Sequence, residues 1–165
     1  EQILRLALLN KNINFHLYGD KQFLKISQKI KNVKIFNFIN YNKIPETLSK
    51  YEIALMPYQK RVKGRSSIWL EKYMSPLKMF DYLAARMIII ASNLEVYKHI
   101  LKNNYNAVLV KVNDDKLWSQ KIQKFFKHNS KKSRLINNAY KTAKKYTWEK
   151  RCKKIINFGN QRFNH

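Results

Sequence analysis

The sequence predicts an α/β fold of the doubly wound type, a parallel sheet with helices on both faces. Three observations predict it. Short apolar runs alternate along the chain with stretches of helical period, the order that parallel strands and crossover helices impose. One of those runs, Met87-Ile88-Ile89-Ile90-Ala91, is apolar at every position, as a strand covered on both faces must be. The chain has 165 residues, 45% of them hydrophobic, enough for one full domain with a sizeable core and too few for two.

Taken in order, residues 1–10 read as the end of a helix, with Ile3, Leu4, Ala7 and Leu8 as its apolar positions. Residues 14–18 form a first strand that stops at Gly19, and 21–31 a helix with Phe23, Leu24, Ile26 and Ile30 on one side. Val33 to Phe36 is the second strand, followed by a loop and a short helix that begins near Pro45. Residues 52–56 make a third strand ended by Pro57. A polar stretch follows over 58–74, and a loop of that length inside a compact domain is uncommon and often functional. Beyond it the pattern predicts a helix over 76–85, a fully buried strand over 87–92, a helix over 95–101 and a last strand over 107–112. Two or three helices close the chain, the final one capped by Thr147.

Charge is the unusual quantity. The chain carries 34 Lys+Arg against 10 Asp+Glu, a formal net charge of +24, and such a field attracts polyanions. From 113 to 165 the balance is 15 Lys+Arg against 3 Asp+Glu, and that region reads as helical, so the excess belongs on helix faces. Lys, Asn and Ile are abundant together, which makes compositional drift on a solvated surface an equal reading. Cys152 is the only cysteine, so an intrachain disulfide and a thiolate metal cluster are excluded and a reducing compartment is the default. The longest apolar run is far too short to span a bilayer. Glu1 stands where a signal peptide would have a basic segment, and the absent initiator Met points to a fragment or a processed product. The expected location is the cytoplasm.

The segment that carries chemistry is Ser75-Pro76-Leu77-Lys78-Met79-Phe80-Asp81. Ser is a preferred N-cap and Pro a preferred first helical residue, so a helix starts at Ser75. A helix start leaves backbone N–H groups unpaired and bears partial positive charge, which together suit a phosphate. Lys78 lies in that first turn, where the helix dipole disfavours a cation unless an anion joins it. Basic residues are about a fifth of this chain, however, and a Lys at a named position says little by itself. Asp81, one turn on, can accept two hydrogen bonds from a ribose diol, or be a solvated helix residue.

These residues resemble a known family. Ser75 to Ala85 followed by Ile89-Ile90-Ala91-Ser92-Asn93 is similar to the stretch SPLKxFEYxAxGxPIIASD of GT-B glycosyltransferases, in the large retaining group known as glycosyltransferase family four or group one. Five further pieces agree in order: Phe15 to Asp20, Asn32 to Ile35, Ile44-Pro45 with Leu48 and then Glu52 to Pro57, Asn106 with Leu109-Val110, and Tyr146-Thr147-Trp148. The resemblance covers about 13–158. It implies a Rossmann-like domain that is the C-terminal half of a GT-B fold, with the acceptor held by an N-terminal domain outside this chain. It also implies a nucleotide-diphosphate sugar as donor, hexosyl transfer with retention, and no cofactor or metal. Donor-binding residues carried over are Gly19, Ser75, Pro76, Leu77, Lys78 and Asp81, with the Asp81 carboxylate on the ribose hydroxyls. Phe38 and Ile39 fall where relatives line the base pocket. No catalytic residue is expected in this chain, which alone is expected to bind nucleotide weakly and not to turn over.

Departures from the family pattern accompany the matches. The family places a donor-sugar glutamate eight residues before the ribose carboxylate, where this chain has Tyr73. Lys21, Asn37, Arg86 and Ala107 stand where glycine is usual, and a positive φ at Arg86 would cost about 1 kcal/mol. His16, His99, His128 and His165 show no paired metal spacing, and no Walker or dinucleotide-binding glycine motif is present. Trp69, Trp118 and Trp148 read as core or helix-packing residues, and Arg61, Lys63 and Arg65 as a solvated loop. Two other classes fit the charge: a nucleic-acid-binding module, opposed by the dispersed lysines and the lack of a known motif, and a domain whose basic C-terminal helices meet an anionic membrane.

Overall fold

The computed structural model describes residues 1–19, 30–59, 77–127 and 132–163. Five short strands alternate with helices: α1 (Gln2–Leu9), β1 (Phe15–Tyr18), β2 (Val33–Phe36), α2 (Ile44–Leu48), β3 (Ile53–Met56), α3 (Leu77–Ala84), β4 (Ile88–Ser92), β5 (Val108–Val110), α4 (Asp115–Lys127), α5 (Lys132–Ala143) and α6 (Trp148–Phe163). Every strand pair is parallel. The expected helix over 21–31 and most of the long polar stretch lie outside the described residues.

β4 is buried at all five positions and organises the core. Its side chains alternate between two clusters, as a pleated strand requires. Ile88 and Ile90 join Val108 and Val110 of β5, Leu6 of α1 and Trp118 and Ile122 of α4 on one face. Ile89 and Ala91 join Met56 of β3, Met79 and Leu83 of α3 and Ala139 of α5 on the other. Helices therefore cover both faces, as the continuous apolar run predicts. Trp118 is fully buried, and its indole N–H donates to the Lys111 carbonyl at 3.0 Å, so the core placement expected for it holds.

The parallel strands form two ladders rather than one, β1–β2 and β3–β4–β5. Side chains bridge the seam. The Tyr51 hydroxyl, two residues ahead of β3, hydrogen-bonds the Tyr18 hydroxyl at 2.5 Å and His16 Nδ1 at 2.8 Å. Burial first, then the bond with Tyr18, pushes the Tyr51 phenol up to about 12, so it stays protonated across the physiological range. Phe15 and Val33 reach across to the core of the larger ladder.

Two expected elements differ. The helix expected over 95–101 is a single 3-10 turn, Glu95–Tyr97, because the bonds from Tyr97 N–H to Leu94 and from Lys98 N–H to Glu95 close at three residues rather than four. The turn serves to sink Tyr97 and Leu101 fully into the core. Trp148, expected in packing, is 67% exposed because α6 buries none of its described side chains. Asn106, 1% exposed, ties β5 to α5: its amide donates to the Ile100 carbonyl and Thr142 Oγ1, and its Oδ1 accepts from the Lys102 N–H.

The helix α3 ends as the glycine substitution at Arg86 led us to expect. Arg86 has φ 57°, the Met87 N–H bonds to the Tyr82 carbonyl at 3.2 Å, and the Arg86 N–H to Leu83 at 3.4 Å. This is the paired closure of a helix whose residue after the C-cap is left-handed, a place glycine fills without strain. What offsets the strain is the side chain, whose guanidinium lies 4.1 Å from the Tyr140 ring centroid on α5. We predict that Arg86→Ala, which keeps the strain and loses the stack, lowers unfolding stability by about 0.5–1 kcal/mol. Arg86→Gly, losing both, should stay within about 0.5 kcal/mol of wild type. Urea denaturation measures both.

Candidate functional site

In a doubly wound sheet the crevice outside the carboxyl ends of the strands is where chain turns and helix starts converge on one edge. At that edge β1 delivers Gly19, whose N–H donates to the Phe36 carbonyl at 3.0 Å with φ 154°, a conformation that favours glycine. A side chain added at Gly19 would lie 3.9 Å from the Phe38 ring, in ordinary contact, so the requirement for glycine here is conformational rather than spatial. Gly19 and Phe38 are therefore neighbours. Phe38 is 79% exposed and Ile39 half-buried, so an open aromatic face stands beside the glycine turn.

α3 supplies the other candidates. Met79 and Leu83 point inward and fix the helix to β4. Lys78 and Asp81 are then left on the outer side, three residues apart on neighbouring positions of the helix surface. They do not open onto the same space. Lys78 lines a cleft of about 300 Å³ along the seam between β1 and β3, with Tyr18, Tyr51 and Tyr82. Its ammonium sits 5.6 Å from the Tyr58 ring centroid, a cation–π partner for a charge that the helix start disfavours.

Asp81 and Leu77 line a separate cavity of about 310 Å³. Tyr41, from the turn after β2, and Phe80 continue that wall. The opposite wall comes from the junction of α5 and α6, where Lys145, Lys150, Arg151 and Lys154 carry the charge and Tyr146 and Trp148 the rings. The Phe80 and Tyr146 rings meet at 5.8 Å and hold the two walls together. Thr147 caps α6 as expected, its hydroxyl accepting from the Lys150 N–H at 3.3 Å. Asp81 makes no ion pair among the described residues although four cations share its cavity. Burial holds its carboxyl above the usual carboxylate range.

Ser75, Pro76 and Tyr73 lie outside the described residues, as do Arg61, Lys63 and Arg65. The α6 wall and Tyr41 were not among the residues singled out from sequence. Only the Tyr146-Thr147-Trp148 signature pointed there, and it did so as a helix start. Among the described residues no three His, Cys, Asp or Glu side chains gather as a metal site would require, and no helix is long and apolar enough to cross a membrane.

Comparison with known proteins identifies the family and the fold. The family model for glycosyl transferases group 1 matches residues 2–142. No curated protein matches the chain in sequence. Among solved structures it is similar to sucrose-phosphate synthase from Thermosynechococcus elongatus, at 16% identity and TM-score 0.77 over 99% of this chain and 42% of that one. It is similar to the pneumococcal O-GlcNAc transferase GtfA in complex with UDP and GlcNAc, at 12% identity and TM-score 0.72 over 96% and 32%. The C-terminal domain of the group 1 protein LpcC from Francisella tularensis matches at 14% identity and TM-score 0.66 over 87% of this chain and 76% of that domain. The first five structures matched are longer proteins, of which this chain spans between 31% and 42%. The parallel α/β architecture is thus the Rossmann-like half of a GT-B fold.

The burial of Asp81 carries a testable sign. A carboxyl whose folded pKa is raised keeps its proton to a higher pH in the folded chain than in the unfolded one. Its contribution to stability therefore falls as pH rises from the unfolded value, about 3.9, through the raised folded value. Asp81→Asn should melt at or slightly above the wild-type temperature at pH 7. That difference should shrink as pH is lowered toward 4, as thermal melts across the series will measure.

Proposed function

Because the chain belongs to the glycosyl transferases group 1 family, we propose that it is the donor-binding half of an enzyme that moves a hexosyl group from a nucleotide diphosphate to an acceptor. The observation that carries this reading is the Asp81 carboxylate, desolvated, free of any ion pair among the described residues, and set one turn into α3 on the wall of a cavity. A carboxylate kept in that condition is stabilised by a ligand that brings hydroxyl donors, and a ribose diol brings two. GtfA, similar in fold over nearly the whole chain, was solved with UDP and GlcNAc, which supports a nucleotide donor.

In this reading Asp81 orients the ribose. The start of α3, with Ser75, Pro76 and Leu77, holds the diphosphate, and Lys78 joins it when its flexible side chain turns out of the neighbouring cleft and away from the Tyr58 ring. Gly19 lets the donor approach the strand ends, Phe38 and Ile39 border the base, and Tyr73 stands near the sugar. When the bond from the anomeric carbon to the diphosphate oxygen breaks, the electron pair leaves with the diphosphate. Backbone N–H groups and Lys78 offset that charge without recourse to a metal ion. The acceptor would sit on the other domain of the intact protein, which accounts for relatives more than twice as long as this chain.

The reading is tested by titrating UDP, GDP and ADP and their hexose conjugates calorimetrically. One of them should saturate. Asp81→Ala should weaken that ligand at least about tenfold, since a hydrogen bond to a charged group is worth about 1.5–3 kcal/mol. No saturable binding by any of the six would sink the donor reading.

A further inference from the structure

The cavity beside Asp81 has a second wall that the donor reading leaves without a task. Of the charged side chains described around it, four are cations and one is a carboxylate. Three of the cations, Lys150, Arg151 and Lys154, come from the first two turns of α6, where the helix dipole already presents positive charge and disfavours more. Among the described residues none of the three makes an ion pair. α6 has one acidic residue, Glu149, and it pairs at 2.7 Å with Lys153, a helix cation that does not line the cavity. The helix's own carboxylate thus goes to Lys153, and the three cations on the cavity face are without an ion pair among the described residues.

What contacts they do make leave their charge available. Lys150 Nζ donates to the Lys144 carbonyl at 2.6 Å, and the Arg151 guanidinium lies 5.8 Å from the Trp148 ring centroid. Each keeps further N–H donors for a ligand. α6 buries none of its described side chains, so the packing of a core does not dictate the arrangement. Tyr41 and Phe80 supply apolar walls, and the volume of about 310 Å³ falls at the lower end of ligand pockets, about 300–1,000 Å³.

We propose that α6 forms a phosphate-binding wall, with Lys150, Arg151 and Lys154 closing on the diphosphate of the donor while Asp81 faces its ribose. The identity of the ligand rests on the donor reading above; the residues that hold it rest on the α6 geometry. The diphosphate then lies between α6 and Leu77, the first described residue of α3, which line the same cavity. Because the Thr147 cap fixes the first turn of α6, all three cations are set by one helix start.

The test compares two triple variants of equal charge change in the chain. One is Lys150→Gln, Arg151→Gln and Lys154→Gln. The other is Lys116→Gln, Lys124→Gln and Lys127→Gln on exposed positions of α4. Inorganic pyrophosphate, UDP and uridine are titrated against each, with circular dichroism to confirm that the helices persist. The α6 variant should lose at least about tenfold in affinity for UDP and pyrophosphate, with uridine unchanged and a shallower salt dependence. The α4 variant should lose much less. Equal losses in the two variants, or UDP binding untouched by the α6 substitutions, overturns the phosphate wall and leaves the donor reading standing. Pyrophosphate binding that needs α6, in a chain that binds none of the nucleotides, overturns the donor reading and leaves the phosphate wall standing.

Discussion

Burial of β4 on both faces is the constraint from which the rest of the architecture follows. A strand with no polar side chain from Ile88 to Ala91 is stable only if apolar surface reaches it from above and below. Each of its fully buried isoleucines contributes about 1.5–3 kcal/mol through that burial. α3 answers for one face through Met79 and Leu83, and those two anchors leave it no rotational freedom. Lys78 and Asp81 are turned outward as a result. The candidate donor residues are thus aimed by the apolar ones on the same helix, and the left-handed closure at Arg86 lets the chain turn straight from α3 into β4.

Electrostatics runs against stability where packing does not. Asp81 is held partly out of water without a carboxylate's usual compensation, and the α6 cations gather without acidic partners. Elsewhere the chain treats charge conventionally. Asp115, in the first turn of α4, accepts from Gln2 and Arg5 of α1, and Asp114 caps the same helix through the Leu117 N–H. In a +24 chain most cations have no acidic partner to find, and this cavity is where four of them face one carboxylate.

Much of this was legible in the sequence because it rests on local physics. The fully apolar run gave β4, the glycine replacement at Arg86 foretold a strained helix end, and Thr147 marked the last cap. The helix expected over 76–85 is present from Leu77 to Ala84, while its Ser75 cap lies outside the described residues. Other features depend on distance in the chain. Tyr51 meets His16 across 35 positions, and no periodicity announces such a pair. Lys150 and Lys154 could not be told from the other lysines, since a residue type that is everywhere marks nothing. Trp148 misled because a large ring at helical spacing looks the same in sequence whether or not another element covers it.

The seam between the two ladders has a consequence for how the chain comes apart. Backbone hydrogen bonds carry cooperativity along a sheet, and none joins β1 to β3 among the described residues. Among the described residues that line is crossed by side chains, by the Tyr51 hydroxyl and by apolar contact from Phe15 and Val33. The β1–β2 ribbon is therefore the unit that opens first, with amide protection below that of β3, β4 and β5. Gly19 and Phe38 ride on that ribbon, whereas Asp81 is anchored to the durable side. One edge of the candidate site thus rests on side-chain contacts and the other on a hydrogen-bonded sheet.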